Sequence, residues 1–358
     1  MFFSTGLCLY KEIKYVKSIF NIYRKSLQKG SYWIHPTIRF VILNTEEIKN
    51  NATPYFPAQP IGKKVQAFVR FFNYFGWKNH SKSASAFYQA IYIANNRDKE
   101  REIKLFSFDK QKILVLCTSE RKYLEQMHIY HTLSNVYMMP PIFPCDEYKN
   151  AYEIAMVKLT QRPLETIALK EIALSTAKLA QMSFENHTAE SIISYQYAQQ
   201  FINDTLKQLE VLIAPNILSL SFPFCTQHGD LSADNLLFGE CEGKCAYWWI
   251  DWEHVSNRIF FYDYFFYILN TAKCGNSMEA LKCFLRGESD QYLAYLFDAF
   301  GCCYFPEHRI DYFLIFFICF LKERVCDLGR VSALVDYCDW IKANVLPHVD
   351  ENKSHGFI

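Results

Sequence analysis

The sequence predicts an α+β chain in two lobes, a small β-rich one followed by a larger helical one. Three observations predict it. Ile34 to Leu43 and Lys104 to Cys117 are rich in β-branched and aromatic residues. Leu164 to Met182 is rich in Ala, Leu, Glu and Lys, and Ser191 to Ile213 repeats apolar residues every three or four. A short hairpin pattern, Leu236 to Phe238 and Tyr247 to Ile250, interrupts the helical half. About half of the 358 residues are apolar and 17% are aromatic, enough to bury a core in each lobe.

Taken in order, residues 1–30 form a helical extension. Tyr15, Ile19, Ile22 and Tyr23 lie at helical spacing with lysines between, the pattern of a helix that packs on the body or lies on a membrane surface. Residues 31–160 form the β-rich lobe. Within it, Asp109-Lys110-Gln111 turns REIKLFSF back onto KILVLCT. Thr118 or Ser119 then caps a helix through Tyr123, Leu124, Met127 and His131 that ends before Pro140-Pro141. Glu153 to Leu159 reads as a further strand, and Asn50 to Pro60, with three prolines, as a loop. Residues 161–358 form the helical lobe, with helices over Leu164 to Met182 and Ser191 to Ile213, the small hairpin, and mainly helix from 259 to 347.

Composition narrows the function classes. With 38 basic and 37 acidic residues the net charge is +1, so no overall field favours nucleic acid or an anionic membrane, and any anion site must be local. The thirteen cysteines lie in apolar stretches such as Ile113 to Cys117 and Phe316 to Phe320, where a thiol acts as a small hydrophobe. A reduced, cytoplasmic chain is expected. The start MFFSTGLCLYKEIKYVKSIF lacks the basic opening and cleavage site of a secretory signal. The longest apolar run, Tyr312 to Leu321, has ten residues, too few to cross a bilayer, so a buried helix and no integral membrane segment are expected.

The chemistry concentrates in Gln227-His228-Gly229-Asp230-Leu231-Ser232-Ala233-Asp234-Asn235, followed across the hairpin by Trp249-Ile250-Asp251-Trp252-Glu253. Phosphoryl transfer needs an acceptor for a hydroxyl proton and oxygen ligands for the magnesium that neutralises phosphate charge. Asp230, Asn235 and Asp251 have those capacities, in the order and spacing of a kinase catalytic loop and its second metal ligand. Each piece alone is weak; the ordered set is specific.

H-G-D-x4-N with I-D-W-E about twenty residues on resembles the aminoglycoside phosphotransferase and choline kinase family, relatives of the protein kinases. Gly229, where protein kinases usually carry arginine, points to the small-molecule branch. The resemblance spans roughly residues 100–340. It implies a two-lobed protein-kinase-like fold, Asp230 accepting or orienting a substrate hydroxyl, His228 bracing the loop, and Asn235 and Asp251 holding Mg2+. It further implies Asp263 in a structural role near the loop and Glu253 toward the substrate. The co-substrate is then ATP or GTP.

Three departures stand out. The strand Ile113-Leu114-Val115-Leu116-Cys117 lacks the family's phosphate-anchoring lysine, leaving Lys104 or Lys112 to supply the charge, with Glu125 as its helix partner. Asn95-Asn96-Arg97 stands where a glycine-rich loop is expected, and Val255-Ser256-Asn257-Arg258 lacks the usual glycine. Cys241 and Cys245 have no second pair at zinc spacing, Cys302-Cys303 reads as packing, and Phe260 to Tyr267 lacks the interleaved basic residues of a base-stacking platform. The expected function is a Mg2+-dependent small-molecule kinase acting on a hydroxyl of an aminoglycoside, amino alcohol or sugar. The alternative is a pseudokinase-like protein-binding module with impaired nucleotide handling.

Overall fold

The first helix, α1 (Phe2–Ile22), buries Ile13, Val16, Ile19 and Phe20 and exposes Lys11, Lys14 and Lys17. Ile22 is 66% exposed. At about 100° per residue it stands about 180° round the helix from Ile13, so only part of the apolar set read from the sequence faces the core. Phe20 meets Tyr32 and Trp77 edge to face, at 5.1 and 5.5 Å between ring centroids. The computed structural model describes residues 2–34, 40–52, 77–80, 87–93, 102–275, 277–326 and 329–348. The Asn95-Asn96-Arg97 segment and residues 53–60 of the expected loop fall outside them, while residues 50–52 end a short helix, α2 (Glu46–Ala52).

The chain divides into two compact units, one of residues 1–132, 139–161 and 238–246, the other of 133–138, 162–237 and 247–358. The first is built on an eight-stranded antiparallel sheet. Its strands are β1 (Gly30–Ile34), β2 (Phe40–Leu43), β3 (Trp77–Asn79), β4 (Ala90–Ile93), β5 (Ile103–Ser107), β6 (Lys112–Leu116), β7 (Ile142–Pro144) and β8 (Ala151–Ala155). They run in the order β3-β1-β2-β4-β5-β6-β8-β7. The stretch Ile34 to Leu43, rich in β-branched and aromatic residues, contributes to β1 and β2, paired in the register Tyr32↔Leu43 and Ile34↔Val41. The β5–β6 hairpin turns through Gln111 at φ 52°, as its turn residues predict. Helix α3 (Glu120–Leu133) follows, capped by Ser119 Oγ, which accepts from the Lys122 amide at 3.2 Å. Ile34, Phe40, Ala90, Leu105 and Leu114 are fully buried in the core of this unit, and α1 adds its apolar face to the same core.

The second unit is mainly helical. Helices α4 (Glu165–Ala177), α5 (Ala189–Ile193), α6 (Gln200–Glu210) and α7 (Pro215–Leu218) precede the segment of residues 227–235. After it come α8 (Tyr262–Lys273), α9 (Glu279–Leu285), α10 (Asp290–Ala299), α11 (Arg309–Phe320) and α12 (Val331–Asn344). The run Tyr312 to Leu321 is buried in α11 and its continuation, against aromatic residues of α8: Tyr262 meets Phe316 at 5.1 Å and Phe265 meets Phe313 at 5.5 Å. No helix among the described residues is long and apolar enough to cross a membrane.

Two small sheets went unread or were underestimated. The first joins β10 (Glu185–Thr188), β11 (Ser221–Gln227) and β14 (Ser256–Ile259). Pro223 inside β11 and the polar make-up of Glu185–Thr188 hide the strand pattern. The second joins β9 (Lys158–Leu159) to the hairpin β12 (Leu236–Cys241) and β13 (Lys244–Trp249). Glu242 and Gly243, at φ 48° and 76°, make a two-residue turn with both central residues left-handed, which lets the strands run longer than their apolar cores suggest.

Packing of α1 is testable by Ile13→Ala, which removes most of a buried side chain. It should lower the unfolding free energy by about 3 kcal/mol in urea titration. A change under about 0.5 kcal/mol would mean that α1 does not dock on this core.

Candidate active site

Strand β11 delivers Gln227 and His228, both fully buried, to the start of the loop. The turn there is held from outside by Asp263 in the first turn of α8. Its carboxylate accepts the backbone amides of His228 at 2.6 Å and Gly229 at 2.8 Å, and its own amide donates to Gln227 Oε1 at 3.2 Å. Burial pushes the Asp263 carboxyl up to about 6, and the two amides pull it back.

His228 spans the site. Its Nε2 lies 2.8 Å from the Ile250 carbonyl, so that nitrogen carries the proton, and Nδ1 accepts the Asp230 amide at 3.3 Å. The ring packs 4.6 Å from Trp252, and burial lowers its pKa to about 4. A neutral imidazole thus ties residues 228–230 to residue 250, directly before Asp251.

Gly229 has φ +78°, and a Cβ there would lie 2.1 Å from Arg258 Nη1 and 2.6 Å from the His254 carbonyl oxygen. Glycine is required for both reasons. Arg258, from β14, fills that space: Nη1 donates to His254 O at 2.8 Å, and the fork pairs with Glu323 through Nε to Oε2 at 2.8 Å and through Nη2 to Oε1.

Asn235 Nδ2 donates to the Asp230 carbonyl at 2.8 Å, and the Ile250 amide donates to the Asn235 carbonyl at 3.0 Å. These bonds set Asn235 between Asp230 and the segment carrying Asp251. Asp251 is exposed and left-handed at φ 64°, a conformation that costs about 1 kcal/mol in a non-glycine residue and is concentrated at functional sites. The Asp230 carboxyl is raised, first by desolvation and also by the charge of Asp251, while Arg324, His254 and Arg258 oppose the rise. Arg324 Nη2 donates directly to Asp230 Oδ1. Arg162 clamps the far side of the loop, giving Nη1 to Ala233 O at 3.0 Å and Nη2 to Leu236 O at 2.8 Å.

Of the residues chosen from the sequence, His228, Asp230, Asn235 and the Asp251 segment are brought together in the second unit. The first unit places the others differently from the lysine–glutamate pair sought there. Lys112 pairs with Glu153 at 2.6 Å, Lys104 with Glu102 at 3.0 Å, and Glu125 with Arg121 at 3.3 Å on the exposed face of α3. A cavity of about 510 Å³ in that unit, lined by Phe108, Gln111, Met156, Lys158 and Glu240 among others, involves none of these residues. Sequence reading missed Arg162, Glu323 and Arg324, and met Arg258 only as a missing glycine.

The donor set suits a small hard cation. Among the described residues no cluster of three His, Cys, Asp or Glu residues could hold a metal alone. Magnesium keeps several waters and takes one or two protein oxygens beside phosphate oxygens, and Asn235, whose Nδ2 is committed to Asp230, has its Oδ1 left for such a role.

No family model and no curated protein matches the chain. Solved structures that resemble it include the GDP and kanamycin complex of the aminoglycoside phosphotransferase APH(2")-IIIa, at 11% identity and TM-score 0.44, covering 84% of this chain and 100% of that one. Choline kinase LicA from Streptococcus pneumoniae matches at 11% identity and TM-score 0.42, over 78% of this chain and 99% of that one. Amicoumacin kinase hAmiN, in complex with AMP-PNP, Ca2+ and Ami, matches at 12% identity and TM-score 0.39, over 71% and 88%. All three are of the small-molecule kinase group that the H-G-D-x4-N motif resembles.

His228 leaves a signature in the pH dependence of stability. Its folded pKa, about 4, lies below the ordinary 6.5, so its contribution is full above 6.5 and is lost as pH falls toward 4. The unfolding free-energy difference between wild type and His228→Asn should therefore shrink by up to about 3 kcal/mol from pH 7 to pH 4. Asp263 titrates with the opposite sign in both proteins and cancels in that difference. A gap that is constant with pH would show that the imidazole is not held neutral.

Proposed function

We propose that the chain is a small-molecule kinase that moves the γ-phosphoryl group of ATP or GTP to a hydroxyl of a small polar acceptor, an aminoglycoside, amino alcohol or sugar. The observation that carries this reading is the linkage of Asp230, Asn235 and the Asp251 segment through Asn235 Nδ2 to Asp230 O and Ile250 N to Asn235 O. It joins a proton acceptor and two oxygen ligands in one short hydrogen-bonded framework, with Asp230 and Asn235 half-buried and Asp251 exposed.

In this reading Asp230 orients the acceptor hydroxyl and takes its proton as the new oxygen–phosphorus bond forms and the bond to the nucleoside diphosphate breaks. Partial desolvation, which raises its carboxyl, makes it a better base than an exposed carboxylate. Asn235 and Asp251 would hold Mg2+, which supplies charge neutralisation to the phosphates. His228 takes no proton; it keeps the Asp230 amide and the Ile250 carbonyl in register. A cytoplasmic location is part of the proposal and agrees with free thiols throughout the described residues.

One observation favours a second reading, a nucleotide-impaired binding module: Lys104, Lys112 and Glu125 are paired with Glu102, Glu153 and Arg121. Calorimetric titration of ATP and GTP with and without Mg2+ separates the two. The kinase reading expects metal-dependent binding that weakens by about tenfold or more in Asp251→Ala. In Asp230→Asn, binding should persist while turnover falls by about 10²- to 10⁴-fold. Wild type that binds neither nucleotide would favour the binding module.

A further inference from the structure

Beyond α11 the chain widens into a π-helical turn, Leu321–Cys326, a geometry found often at functional sites. Its consecutive residues Glu323 and Arg324 both reach the loop. Glu323 holds the fork of Arg258, which nests against Gly229, and Arg324 donates Nη2 to Asp230 Oδ1. The Arg324 side chain is 16% exposed, with its guanidinium carbon 5.9 Å from the Phe266 ring centroid. Of the five N–H donors of a guanidinium, the bond to Asp230 is the one Arg324 makes among the described residues. Its remaining donors have no partner among the described residues.

We propose that Arg324 is a phosphoryl-binding residue of this site, whose guanidinium binds the group in flight between nucleotide and acceptor. The proposal rests on the kinase reading above. If Asp230 takes the hydroxyl proton, the attacking oxygen lies within about 3 Å of its carboxylate. The phosphorus then lies about 3 to 3.5 Å beyond that oxygen. A guanidinium bonded to Asp230 is therefore adjacent to the equatorial oxygens of the transferring group. As the acceptor oxygen bonds to phosphorus, its proton passes to Asp230. The phosphorus–oxygen bond to the leaving diphosphate breaks, and its electron pair stays on the diphosphate. Negative charge is then spread over three equatorial oxygens, which a planar fork with spare donors is suited to meet. An arginine supplied in cis is an established solution to that charge in phosphoryl transfer. Here it comes from the C-terminal helices, 94 residues along the chain from Asp230, and is anchored by its neighbour's ion pair with Arg258. The cation sought in Lys104 or Lys112 thus has a counterpart beside the base itself.

The test needs no knowledge of the acceptor. MgADP is titrated calorimetrically into wild type, R324Q and R324K, with and without aluminium fluoride as a mimic of the transferring phosphoryl group. Fluoride should tighten MgADP by about tenfold or more in wild type and by less than about twofold in R324Q, with MgADP affinity alone unchanged within about twofold. R324K, which keeps the charge but not the fork, should retain part of the effect and carries the comparison if R324Q does not fold. Equal or greater tightening in R324Q overturns the proposal, the latter making the ion pair a lock on Asp230. So does wild type that binds MgADP but ignores fluoride. Wild type that fails to bind MgADP sinks the kinase reading itself, a different result seen before fluoride is added.

Discussion

The fully buried carboxylate of Asp263 is the constraint on which the loop geometry depends. Two backbone amides, of His228 and Gly229, point at it from a turn closed to solvent. Leaving both unsatisfied would cost about 1 to 3 kcal/mol each, so the turn is fixed wherever α8 is fixed. α8 is fixed by its aromatic packing on α11, through contacts such as Phe265 with Phe313 and Tyr262 with Phe316. The geometry of the loop thus rests on hydrocarbon packing some distance away. His228 then repeats the logic one residue on, converting the position of the turn into the position of Ile250 and so of Asp251.

Around this framework the charges form two adjacent pairs, Arg258 with Glu323 and Arg324 with Asp230. Partly buried ion pairs contribute little net stability, because desolvation offsets most of the attraction. Their value lies in placement. Arg258 occupies the space that the absent Cβ of Gly229 leaves, and Glu323 follows it there, which brings Arg324 to Asp230. The glycine read from the sequence as a marker of the small-molecule branch has a local physical cause in this chain.

Legibility followed the range of the interactions. Helix α4, from its Ala, Leu, Glu and Lys content, α8 and α11, from their long apolar runs, and the β5–β6 hairpin with its turn residues were readable because their signals are local. The 228–235 loop was readable because Asp230 and Asn235 are five residues apart and one hydrogen bond joins them. β10 and β11 were not, since Glu185–Thr188 has no apolar alternation and Pro223 interrupts the other strand. Arg324 carried no signal: it follows a long apolar run, and its partner is remote in sequence. Lys104 and Lys112 show the converse. Their strand positions were local and readable, but the sequence could not say that Glu102 and Glu153 would be the carboxylates beside them.

That contrast bears on what a missing motif means. A lysine absent from one strand is commonly taken as loss of phosphate handling, yet electrostatic stabilisation depends on where positive charge sits relative to the transferring group, not on which element supplies it. If Asp230 is the proton acceptor, as proposed, a guanidinium bonded to it would lie nearer the reacting oxygen than an ammonium that anchors the non-transferred phosphates. The two are not equivalent: a lysine that anchors the nucleotide acts in ground state and transition state alike, whereas a cation beside Asp230 meets its charge only as transfer proceeds. A chain that relies on Arg324 should therefore hold its nucleotide loosely and discriminate in favour of the transition state, and Glu102 and Glu153, by keeping Lys104 and Lys112 occupied, leave that division of labour in place.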